Sequence, residues 1–178
     1  MNVRKWSLIV IAILLVTNGV TLGLLIQSKH KSDKLPGSDK RWEFFTLNGK
    51  GQNWQIKDYK VVRTAFSIFH GNGSLAYLGN PQDIKDSTYF EYGYYKMHEG
   101  KPWAIHRHSA SSVNGSVDIL TNIKYLGSIE GAPSPWEPAD TAQGLLDSYM
   151  EVSWKDNQGK MHTEQVPMSV TEEFSGKE

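Results

Sequence analysis

Residues 87–109 read STYFEYGYYKMHEGKPWAIHRHS, two aromatic-rich runs, 87–98 and 101–109, on either side of Glu99-Gly100. Aromatic residues in short runs favour strands, and a two-residue break ending in glycine is a hairpin signal. With Glu99-Gly100 as a two-residue turn, positions whose numbers sum to 199 face one another across the hairpin. Gly93 then lies opposite His106 and Glu91 opposite His108, with Tyr89, Tyr95 and Met97 on the same face. Tyr92, Tyr94, Trp103 and Ile105 fall on the other face and read as core.

The same texture continues in both directions. Strand-like segments recur at 42–47, 53–69, 74–79, 113–127, 148–155 and 160–170, punctuated by Asn72-Gly73, Asn114-Gly115 and Asp156-Asn157-Gln158-Gly159. Only Pro138 to Asp147 reads as helix, with Asp140 as its cap. The fold class expected is mainly β: an antiparallel β-sandwich over 42–170, immunoglobulin-like in architecture, with a frayed tail at 171–178. Trp54, Trp103 and Trp154 sit in apolar strand patterns and are expected in the core. Trp136 lies in the proline-stiffened stretch 132–138, which reads either as a binding loop or as a plain connection between sheets.

The N-terminus has a different character. No residue between Lys5 and Lys29 is charged, and Leu8 to Ile26 is a nineteen-residue, mostly apolar run. As a helix it would be about 29 Å long, the thickness of a bilayer's hydrocarbon core. A short tail (1–6), a transmembrane helix (7–27) and a polar stalk (28–41) are therefore expected ahead of the β-domain. A cleaved signal peptide is the rival, but its apolar run is usually shorter and ends at an A-x-A-like site, which is missing here. Basic residues flank both ends of the run: Arg4 and Lys5 before it, Lys29, Lys31 and Lys34 after it. A cytoplasmic N-terminus with an extracytoplasmic domain is the expected orientation. Gly19 and Gly23, with Asn18 beside them, have the spacing that lets two membrane helices pair, so a homodimer through this segment is one expectation.

Composition narrows the function. Beyond residue 34 the chain carries 14 basic and 18 acidic residues, a mildly acidic balance with no electrostatic reason to bind nucleic acid. The absence of cysteine rules out disulfides, thiolate metal sites and a cysteine nucleophile. Neither a G-x-S-x-G elbow, an H-E-x-x-H helix nor a phosphate-binding loop is present, so an enzyme is the lesser expectation. The one constellation with chemical content is His106, His108 and Glu91, two imidazoles and a carboxylate that on one face would suit a divalent metal. Lateral pairing on a half-solvated strand accounts for the same residues, and a one-residue change of register would move Glu91 to the wrong face.

Gly49-Lys50-Gly51-Gln52-Asn53-Trp54, Gly73 to Gly79 and Glu151-Val152-Ser153-Trp154 resemble segments of small envelope proteins of Bacillus-type Gram-positive bacteria, single-span or lipid-anchored. The resemblance implies an extracytoplasmic β-domain at the cell membrane and no particular activity. A membrane-tethered module binding an envelope protein or a wall polymer is the functional expectation, with a metal-dependent protein as the alternative.

Overall fold

The computed structural model describes residues 41–133 and 142–177. Nine strands follow one another: β1 (Arg41–Lys50), β2 (Trp54–Arg63), β3 (Ile68–Gly71), β4 (Ser74–Tyr77), β5 (Tyr89–His98), β6 (Lys101–Ser111), β7 (Ser128–Gly131), β8 (Tyr149–Lys155) and β9 (Met161–Lys177). Two single-turn helices, α1 (Ile119–Asn122) and α2 (Ala142–Leu145), and a 3-10 turn at Pro81–Ile84 complete the described elements. All belong to one unit, Lys40–Glu178. The expected membrane helix, its Asn18, Gly19 and Gly23, and the Trp136 stretch lie outside the described residues. Among the described residues no helix is long and apolar enough to cross a membrane.

The strands form a single antiparallel sheet in the order β6-β5-β8-β9-β1-β2-β3-β7, with β4 also paired to β2. The two sheets expected of a sandwich are here two halves of one, because β9 belongs to both. Its first part pairs with β8 (Met161↔Lys155 to Pro167↔Tyr149) and its second with β1 (Met168↔Gly49 to Lys177↔Arg41). Seventeen residues are long enough to bend over the core and carry the sheet from one half to the other. The result approaches a barrel, left open between β6 and β7 at the two ends of the strand order.

Bulges produce the curvature. Asp58 takes φ 57°, and its N–H donates to the Asn48 side-chain oxygen over 2.7 Å. The extra residue resets the alternation of β2, so that Trp54, Ile56, Tyr59 and Val61 are all buried. Beyond it β2 changes partner, from β4 at Trp54–Lys57 to β3 at Lys60–Arg63.

The inward faces meet in an aromatic core. Trp54 lies 5.7 Å from Phe90 and 5.5 Å from Trp154, and Tyr59 lies 4.8 Å from Tyr94, centroid to centroid. Leu75, Ile84, Ile119, Leu126 and Leu145 extend the same cluster. Each such side chain contributes about 1.5–3 kcal/mol on burial. Trp54, Trp154, Tyr92 and Tyr94 are in the core as the alternation predicts. Trp103 is not: it is 44% exposed on the edge strand.

Three further expectations are corrected. The tail is not frayed: 171–177 continue β9, with Phe174 opposite Phe44 and Gly176 opposite Trp42. Glu172 and Glu173 are exposed on a strand whose backbone is paired with β1, so charge density there does not report disorder. The 113–127 segment is not a strand but a loop around α1, started by Asp118 accepting from Thr121 N–H over 3.0 Å. The 53–69 segment breaks at Thr64–Ser67, where the Thr64 hydroxyl accepts from the N–H of Phe66 and of Ser67.

Candidate functional site

The β5–β6 hairpin begins as its sequence predicts and then departs from it. Glu99 and Gly100 take φ 51° and 74°, the two positive values of a type I′ turn. The 199 register holds from His98↔Lys101 to Tyr95↔Ala104, and then shifts by one residue between Tyr94 and Tyr95. Ile105 is the extra residue. Beyond it Tyr94 pairs with His106, Gly93 with Arg107, Tyr92 with His108 and Glu91 with Ser109. The slip turns the two histidines over to the inward face, alongside the buried tyrosines.

The predicted metal set is therefore divided. Glu91 faces outward, where its carboxylate accepts from the Tyr89 hydroxyl and the Arg107 guanidinium. Those two donors hold its pKa below the ordinary carboxylate range, the Tyr89 bond being the larger cause. His106 and His108 lie on the other side, flanking the Tyr92 ring at 5.9 and 5.5 Å. Among the described residues, no group of three or more His, Cys, Asp or Glu is placed to hold a metal ion.

The structure puts these histidines at the rim of the open gap instead. A cleft of about 160 Å³ lies between the two ends of the sheet, lined by Ile68 and His70 of β3, Trp103 and Ile105 of β6, and Ile129 and Glu130 of β7. Its floor is His70, buried and 5.7 Å from Tyr94. Its lip is the inward side of β6, where Trp103 and His108 are exposed while Tyr92 and Tyr94 behind them are covered. His106, half-buried, is kept towards its neutral form by burial first, then by repulsion from His108 and His70. Tyr92 beneath it is pushed up to about 12 by burial, and its hydroxyl donates to the Leu126 carbonyl.

The cleft is walled mainly by Ile, Trp and Ala, with Glu130 its one carboxylate. Its volume suits one apolar side chain rather than a whole small molecule. Along it, β6 is hydrogen-bonded to β5 and, among the described strands, to no other, so its second edge is open. Sequence reasoning missed His70, Ile68 and Ile129. The apolar alternation of Ile68 with an inward His70 was their one signal, and it does not reveal which strands would end the sheet. Comparison with protein-family models, curated proteins and solved structures gives no match to this chain.

Proposed function

We propose that the protein is a membrane-tethered, extracytoplasmic binding module that captures an extended polypeptide segment of an envelope partner. The observation that carries this reading is the open gap, where the edge of an eleven-residue strand runs beside a one-side-chain apolar cleft. A peptide added next to β6 would gain main-chain hydrogen bonds from the edge and specificity from the side chain seated between Ile105 and Ile129. The apolar run Leu8–Ile26, taken as a single span in the cell membrane, would hold the domain at the envelope, and the resemblance to small envelope proteins favours the same compartment. Gly19, Gly23 and Asn18 would allow two such chains to pair within the bilayer.

The test is a photo-crosslinking residue at position 103 of the full chain in native membranes, with position 57, exposed on β2 and away from the cleft, as the reference. A reproducible protein adduct from 103 and none from 57 is expected, and Ile105→Arg should suppress it. Adducts no more frequent at 103 than at 57 would refute the reading. Wall-polymer binding is a second reading, favoured by Tyr95 and Tyr149, stacked at 5.2 Å with 9° between their planes on the outward face near Glu151 and Gln165. Retention on wall glycan that survives Ile105→Arg and is lost with Tyr149→Ala would favour it.

A further inference from the structure

One end of the sheet is apolar on its outward side. By register, Phe174 of β9, Phe44 of β1, Val62 of β2 and Phe69 of β3 lie in one row across four strands. None of these four is buried, and Phe174 is 56% exposed. Phe66, in the turn that closes the same end, is 78% exposed, and the Trp42 ring covers Gly176, leaving no room there for a Cβ. An antiparallel sheet with one solvated face normally shows polar residues there. The outward face of the β5–β8–β9 half does so, with Glu91, Glu151, Ser153, Thr163 and Gln165. Beside this row Lys60 donates to Thr46 over 2.8 Å and sits 5.3 Å above the Phe44 ring, Thr46 donates to Glu172, and Glu130 of β7 lies at the row's end, opposite Phe69.

This apolar end is also where the chain enters the domain. Fourteen residues, 27–40, separate the apolar run ending at Ile26 from the first residue of β1. Fully extended they reach at most about 50 Å, so a bilayer holding Leu8–Ile26 is never far from Trp42. Trp and Phe side chains at such a position favour the boundary between lipid headgroups and acyl chains. We infer that Trp42, Phe44, Phe66 and Phe174 form a docking surface that rests on the lipid headgroup region of the same membrane. The docked domain presents the opposite end of β9, and the β8–β9 hairpin, away from the bilayer. This inference rests on the membrane tether proposed above.

The chain has no cysteine, so single-cysteine variants report one site each. Phe66→Cys, Phe174→Cys and, as reference, Val113→Cys (Val113 is 97% exposed, beyond the far end of β6) would be made in the full chain. Each would carry a polarity-sensitive fluorophore and be reconstituted in phosphatidylcholine–phosphatidylglycerol vesicles with and without quencher-bearing lipid. Blue-shifted emission and several-fold stronger lipid quenching at 66 and 174 than at 113 is expected. Labels at 66 and 174 as solvent-like as the one at 113, in a chain that resists carbonate extraction, would overturn the docking surface and leave the tether standing. Blue-shifted labels that quench one another but not with lipid would overturn it in favour of a second copy of this chain. Release of the chain by carbonate would overturn the tether, and the docking surface with it.

Discussion

Tyr92 supports the whole lip of the cleft, and its replacement by Phe isolates one interaction. Its ring lies between His106 and His108 on one side and the core on the other, and Phe keeps that packing. What is lost is the hydroxyl that donates to the Leu126 carbonyl in a fully buried loop. Leaving a buried carbonyl without its donor costs about 1–3 kcal/mol, and Tyr92→Phe should destabilise the domain by that amount at pH 7. The sign of the pH effect follows from the same burial. The folded-state pKa is raised from 10.0 to about 12, so the neutral phenol's contribution is complete below pH 10 and is lost as pH rises towards 12. Two units correspond to about 3 kcal/mol, of which roughly half is gone by pH 11. Urea unfolding of residues 35–178, followed by tryptophan emission at pH 7 and pH 11, reads both. The gap between parent and variant should shrink by on the order of 1 kcal/mol across that interval, Tyr77, Tyr89, Tyr95 and Tyr149 titrating alike in both proteins. An equal gap at the two pH values, or no loss of stability at pH 7, would refute the burial argument.

Other perturbations probe separate parts of the account. Glu164→Ala removes the carboxylate that accepts from the N–H of Gln52 and Asn53 and from the Asn53 amide, so the β1–β2 turn should loosen at a cost of about 1–3 kcal/mol, measured by urea midpoint and by faster exchange of those amides. His106→Gln should flatten the acid side of the stability curve. In the parent the imidazole's pKa is lowered on folding, so stability declines as pH drops from the ordinary histidine range, and thermal melts between pH 7 and pH 5 should show the variant declining less. Ending the chain after Val170 removes the partners of Trp42 to Thr46, including Phe174 against Phe44 at 6.0 Å, and should cost on the order of 3–5 kcal/mol. A truncated chain as stable as the parent would show that this part of β9 holds nothing.

The strands were legible because their apolar residues alternate, and the Glu99-Gly100 turn because its residue types fit positive φ. The candidate site was not, and a single residue explains why. Ile105 carries no mark distinguishing a bulge from regular strand, yet it reverses the faces of His106 and His108 and parts them from Glu91. Trp103 reads as core by pattern, but pattern does not reveal that β6 ends the order of the described strands and leaves that ring 44% exposed. Residues 171–177 read as a loose tail because Glu172, Glu173 and Lys177 suggest solvent. Their backbone pairing with β1 depends on residues more than a hundred positions away, which no local signal encodes. Tertiary context decided each of these three.

The claim on which the functional reading stands is that the edge of β6 facing β3 and β7 is open. Amide hydrogen exchange along Trp103–Ser109 of the purified full chain tests it most directly. An open edge predicts alternation, with amides directed at β5 strongly protected and those directed into the gap exchanging orders of magnitude faster. Uniform protection along the strand would mean that β6 is paired on both sides, and would contradict the open gap and the polypeptide binding proposed for it.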